Sequence, residues 1–343
     1  MRTRAVTAPV LARPIRAAAA FAALGAAVFV AFALSLGMGA VPVAPWRVVA
    51  ALFAADGGPE SVIVGMRLAR ALLAAAVGAS LASSGAVLQG LFRNPLADPY
   101  VIGSSGGSAL GAVIAIAFGL EAIGTGLSAI GIAAFVGGLA ATLAVYLVAG
   151  ASRVRSDAAN LLLAGTALGS LFSAAVSIIL ALKDKDLNRA WFWLLGGFSG
   201  RGLGELAAVA PAMLVGFAAA MASARVLDVL SAGDEEAESL GLSPAKTRLA
   251  VGAFAALAVS ASVAVAGMIG FVGLVSPHLA RRFVGPAHAR LVPASAVVGA
   301  TLLLLSDAVA RTAFSPVEMP VGAVTALIGA PFFLYWIAKR GLR

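Results

Sequence analysis

Five of the fifteen acidic residues in this 343-residue chain fall within eleven positions: Asp228, Asp234, Glu235, Glu236 and Glu238. Around them the sequence is mostly alanine, leucine, valine and glycine, so the cluster is either a solvated loop or a surface shaped for a partner. Arginines form a second group. Arg67 and Arg70 open one apolar run and Arg311 closes another; a guanidinium offers carboxylates two parallel charge-assisted hydrogen bonds. Asp307 precedes Arg311 by four positions, the spacing at which helical side chains pair, which favours a structural ion pair over a membrane-embedded proton relay. Catalytic patterns are missing. No HExxH, GxSxG or Gly-Lys-Ser/Thr occurs, GSSGGSALG at 103–111 lacks the lysine of a phosphate loop, there is no cysteine, and the two histidines stand ten residues apart. Nothing here hydrolyses ATP or holds a catalytic metal, so no enzyme activity and no cofactor is expected. Uphill work would draw on a partner or an ion gradient.

The elements that position these groups are apolar. Hydrophobic residues make up 61% of the chain and charged residues 11%, with a mean hydropathy of +1.02; soluble domains carry about 25% charged residues. Runs of membrane-spanning length occur near 17–36, 68–90, 99–119, 126–149, 158–181, 203–224, 248–268, 271–284, 292–310 and 321–338. The expected fold is an all-α polytopic membrane protein of about ten transmembrane helices with both termini cytoplasmic. This orientation puts sixteen Lys and Arg inside and eight outside, the asymmetry that fixes topology. It also accounts for the net charge of +9 without nucleic acid. The first run is too long for a signal-peptide core and reads as an uncleaved span. Small residues at helical spacing (78–86, 103–112, 131–140) suit close helix contacts in lipid. RLA at 67–69 recurs at 248–250, and Asn94-Pro95 resembles Ser276-Pro277; offsets of 181 and 182 across five helices fit an inverted repeat.

Two stretches, 67–112 and 266–341, contain RLxR…GAxLAxSGxxxQxxxRNPLAxP, GFVGLxxPHxxR and ExPxGxxTAxxGAPxF, accompanied by LLLAGTALG at 161–169 and WLLGGF at 193–198. In these motifs the chain resembles the FecCD family of ABC-importer permeases. The resemblance implies a vitamin-B12-permease-like fold forming a single transmembrane permease domain over 1–343, in the bacterial inner membrane. It implies a homodimer around one path, two ATPase subunits on the cytoplasmic face, a periplasmic binding protein outside, and haem, ferric siderophore or cobalamin as cargo, with a slight lean toward iron chelates. The competing reading is an ion-coupled secondary transporter acting without an ATPase. A membrane scaffold without transport is a third. At the matching motif positions Arg67, Arg70 and Arg311 look like receptors for glutamates of the binding protein, and Asn94 and Leu96, around Pro95, look like part of a cytoplasmic gate. The path would be lined by the fifth helix (Gly165, Ser173, Ser177) and the segment 187–200. His278 and His288 belong to the general family pattern or lie near it and are not expected to ligate haem; helix ends or ATPase contacts suit them better.

By the same resemblance the acidic window lies in a cytoplasmic coupling loop, about 225–248, built as two short helices around a glycine bend. The first would be Asp234–Leu240, including Glu235, Glu236 and Glu238. Gly241 would form the bend, and the second would be Ser243–Arg248 with Pro244 in its first turn. Acids at the start of the first and bases at the end of the second would each complement a helix dipole.

Overall fold

The computed structural model describes residues 12–53, 58–120, 127–150, 158–183 and 187–341. Arg2, Arg4, Arg153, Arg155, Lys185 and Arg343, counted above for topology, lie outside these residues. Among the described residues the regular structure is all helical, and the chain is a multi-pass membrane protein. The helices are α1 (Ala12–Gly37), α2 (Pro45–Phe53), α3 (Pro59–Leu91), α4 (Ser104–Ala117), α5 (Ala129–Gly150), α6 (Ala158–Leu182) and α7 (Leu187–Leu195). They are followed by α8 (Leu203–Ala222), α9 (Ala224–Ala232), α10 (Asp234–Ser239), α11 (Pro244–Ala266), α12 (Val272–Val284), α13 (His288–Thr312) and α14 (Val321–Gly341). A 3-10 turn, Pro99–Ile102, leads into α4.

Each of the ten apolar runs overlaps one of these helices over most of its described length; 99–119 also takes in the 3-10 turn before α4, and 203–224 reaches the first residue of α9. Among the described residues, seven are long and apolar enough to cross a membrane: α1 from Ala17, α3, α5, α6, α8, α11 and α13. Ser104–Ala117 and Val321–Trp336 are apolar but shorter. α12 has 13 residues and carries Arg281 and Arg282 in its last turn, where cations complement the helix dipole.

Glycine brings the central helices together. A Cβ on Gly78 of α3 would lie 2.3 Å from the Gly299 carbonyl oxygen of α13, and a Cβ on Gly299 would lie 2.3 Å from the Gly78 oxygen. The two backbones touch directly, the contact that small residues permit in lipid. Substituting Gly78→Val should cost about 3 kcal/mol or more by forcing α3 and α13 apart. The expected readout is loss of the monodisperse peak on detergent size-exclusion chromatography. Gly25→Val, where an added Cβ meets nothing within 4 Å, should run normally.

The two proline motifs of the sequence echo differ in structure. Ser276-Pro277 does not form a turn like Asn94-Pro95 but sits inside α12. A proline there leaves the Gly273 carbonyl without its helical donor. Gln89 of α3 fills the gap, its Nε2 donating to the carbonyls of Gly273 at 3.4 Å and Leu274 at 3.3 Å. Nearby, the buried Ser262 hydroxyl donates to Ser80 Oγ at 3.0 Å. These serines are 182 positions apart, the offset of the Pro-motif echo.

Candidate functional site

The chemistry-bearing residues gather at two levels along α3, one around Arg67 and Arg70 in its first half and the other just beyond its C-terminus at Arg93. The rise from Arg70 to Leu91, the last residue of α3, separates those two ends of the site by about 32 Å.

At the first end, an ionic cluster joins α3, α13 and the loop before α14. Arg70 donates to Asp307 Oδ1, with Nε at 3.0 Å and Nη2 at 2.8 Å. Arg311 donates through Nε to the other carboxylate oxygen of Asp307 at 3.0 Å. Asp307 is fully buried and both its oxygens are occupied, as the structural-pair expectation required; the partnership with Arg70, 237 positions away, was not anticipated. Arg70 Nη1 also reaches Glu318, at 3.2 and 3.0 Å from its two oxygens, and the Ser199 hydroxyl donates to Glu318 Oε2. Burial alone would raise the Glu318 pKa, but the Ser199 hydrogen bond and the charges of Arg70 and Arg311 hold it below the ordinary carboxylate value.

The remaining donors of Arg311 and those of Arg67 finish α1. A helix leaves its last carbonyls unpaired. Arg67 donates to the Leu36 and Gly37 carbonyls at 3.1 and 3.2 Å and to Val41 O at 2.7 Å. Arg311 donates to Ser35 O at 2.9 Å and Met38 O at 3.0 Å. The three arginines expected to face a partner therefore differ: Arg67 is partly exposed, Arg70 is held by two carboxylates, and Arg311 is only 7% exposed. A cavity of about 540 Å3 opens beside them, lined by Arg67, Arg70, Arg201, Arg311 and Glu318 among others.

At the other end, α10 matches the expected first coupling helix, with Asp234, Glu235 and Glu236 in its first turn. It closes in a Schellman motif: Leu242 N–H donates to Ala237 O at 3.0 Å and Gly241 N–H to Glu238 O at 2.9 Å. Gly241 takes φ +78°, a left-handed conformation that a side chain disfavours. Ala237 is fully buried, whereas Leu240 is 69% exposed and Glu235, Glu236 and Glu238 are exposed. The result is a small acidic knob on an apolar footing.

The expected second coupling helix is different. Ser243 is the N-cap and Pro244 opens α11, which continues to Ala266, because nothing after Arg248 stops it. Lys246 and Arg248 thus lie near a helix start, where the dipole opposes them. Asp234 offsets this: its Oδ1 accepts from Arg248 Nη2 at 2.7 Å and lies 3.1 Å from Arg93 Nη2. α9, also within the 225–248 loop, had no counterpart in the sequence reading. Its Asp228 accepts from the backbone N–H of His288 at 3.0 Å and faces that ring's Nδ1 at 2.6 Å, so His288 opens α13 and Asp228 caps it. His278 packs edge-on against Trp336 with ring centroids 4.3 Å apart and does not mark a helix end.

Arg93, at φ +50°, leads into the Asn94-Pro95-Leu96 turn. Asn94 Oδ1 accepts from Leu96 N–H at 2.9 Å, and Leu96 is 42% exposed. On α6, Ser173 and Ser177 are exposed, whereas Gly165 is buried. At about 100° per residue, Gly165 points away from the stripe that Ser173 and Ser177 share with the exposed Thr166 and Ser170. Thr166, Ser170 and Ser177 donate back to carbonyls of their own helix, so this face is polar without strong unpaired donors.

Sequence reasoning missed roles for Glu318, Arg93, Ser199 and Arg201. Glu318 is the Glu of ExPxGxxTA and Arg93 the Arg of RNPLA, so the motifs held both without indicating what they touch.

A family model described as the FecCD transport family matches residues 27–339. The chain is 44% identical to the cobalamin import system permease protein BtuC of Halobacterium salinarum, over 89% of this chain and 83% of that one. It is 41% identical to the Fe(3+)-citrate import system permease protein YfmE of Bacillus subtilis, over 88% and 89%. With the hemin transport system permease protein HmuU of Yersinia pestis it shares 39% identity over 80% and 82%. A solved structure described as an inward-facing conformation of a metal-chelate type ABC transporter superposes with a TM-score of 0.82 at 34% identity, covering 94% of this chain and 99% of that one.

Proposed function

Because this chain belongs to the FecCD transport family, we propose that it is the permease subunit of an ATP-binding-cassette importer, moving an iron chelate (haem or ferric siderophore) or cobalamin from periplasm to cytoplasm by alternating access. It works as a homodimer in the bacterial inner membrane, each copy a single domain of about ten spans with both termini cytoplasmic. Two ATPase subunits bind the acidic end and a binding protein the arginine end. The Ser80–Ser262 contact fits two inverted halves meeting at a common axis.

The observation that carries this reading is the acidic knob. Glu235, Glu236 and Glu238 are exposed on a six-residue helix locked by Gly241, and its Asp234 is bonded to Arg93 beside the Asn94–Leu96 turn. Movement imposed on α10 by an ATPase would pass through Asp234 to the turn that we assign as the cytoplasmic gate. The weakly binding face of α6, with Ser173 and Ser177, suits a conduit that must release a large cargo. Asp307 speaks against proton coupling, since both its oxygens are bonded to guanidiniums. Relatives with different cargoes share this scaffold, which leaves cargo choice to the binding protein.

Proteoliposomes containing the permease, its ATPase and the binding protein should take up labelled chelate only with internal ATP. An ATPase whose catalytic glutamate is replaced should abolish uptake. Uptake that persists with the inactive ATPase would establish the secondary-transporter reading instead.

A further inference from the structure

We propose that Arg201 is a carboxylate receptor at the arginine end and, together with Arg67, takes an acidic side chain of the docking protein. This rests on the reading of that end as the binding-protein face. Four guanidiniums line the 540 Å3 cavity. Arg70 and Arg311 are bonded to carboxylates. Arg67 bonds carbonyl oxygens, which carry no formal charge, and Arg201 forms no ion pair or side-chain hydrogen bond among the described residues. The charge of Glu205 reaches Arg201, but that carboxylate accepts from Gly202 N–H at 2.9 Å to close the start of α8.

Arg201 is held as a receptor should be. Its N–H donates to Phe198 O at 3.2 Å, Phe198 is fully buried, and Gly202, where a Cβ would lie 3.6 Å from Ala69 Cβ, seats it against α3. It also lines a second cavity of about 370 Å3 with Arg70, Arg189 and Glu318, so it stands where the two cavities meet. Burial lowers its pKa to about 10, which still leaves it charged at neutral pH. A partly desolvated guanidinium with no ion-pair partner among the described residues gains most from a carboxylate that binds both arms of its fork, and charge complementarity of this kind governs docking rate and specificity.

The test uses the permease–ATPase complex in nanodiscs, with the affinity of the apo and chelate-loaded binding protein measured by surface plasmon resonance. Arg201→Ala should raise Kd by about tenfold or more and flatten its salt dependence. Arg201→Gln, which keeps the side-chain volume, should do the same and serves alone if the alanine variant does not assemble with the ATPase. Arg67→Glu is the reference. If Arg67→Glu weakens docking but both Arg201 variants stay within twofold of wild type, the Arg201 assignment is wrong and the docking face stands. If neither position changes Kd, the docking face itself is wrong. Weakening confined to the chelate-loaded binding protein would place the carboxylate on the cargo and overturn the partner assignment.

Discussion

Asp307→Ala is expected to be the most damaging single substitution at the arginine end. The carboxylate is fully buried, and the Arg70 and Arg311 side chains around it are only 12% and 6% exposed. Removing it leaves Arg311 with carbonyl and hydroxyl partners alone, and two adjacent guanidiniums repelling each other in a poorly solvated site. Breaking a buried pair from one side costs about 3–5 kcal/mol, mostly because of the charge left behind. The detergent-solubilised variant should therefore melt well below wild type when followed by tryptophan fluorescence. Asp307→Leu combined with Arg311→Leu removes both members of the pair within α13 and should recover a substantial part of the loss, since apolar replacement of a whole pair is often close to neutral. A melting temperature unchanged in Asp307→Ala would mean that the cluster is hydrated and structurally minor. Asp307→Asn addresses coupling: a variant with near-normal stability that loses all uptake would point to a proton carrier.

At the opposite end, reversing charge at both Glu235 and Glu236 should reduce ATP-driven uptake by about tenfold or more, either by releasing the ATPase or by leaving its hydrolysis unproductive. Both side chains are exposed, so the melting temperature should shift little, as surface substitutions generally stay within about 0.5 kcal/mol. Asp234→Ala makes the contrast. Its carboxylate holds Arg93 and the buried Arg248, so its loss should lower stability as well as uptake. The two variants separate a surface read by the partner from the link that carries motion inward. Wild-type uptake with Glu235→Lys/Glu236→Lys would return the acidic window to a solvated loop.

What the sequence determined was local or shared by motif. Continuous apolar runs produced helices because the backbone must satisfy its own hydrogen bonds in lipid. Gly241 marked the left-handed bend and Pro244 the first turn of α11, since each is dictated by the φ that one residue can adopt. Family motifs marked Arg70, Arg93 and Glu318 without their partners. The tertiary structure decided rotation and partnership. It turned Gly165 inward, buried Arg311 under α1, ran the second coupling helix on into α11, placed Pro277 within a helix repaired by Gln89, and joined Arg70 to Asp307. These could not be read along the chain because its helices are rich in Ala and Gly on every face. In a water-soluble helix a polar stripe announces which side is buried; in lipid both sides are apolar, and the orientation is fixed only when glycine contacts such as Gly78–Gly299 bring particular faces together.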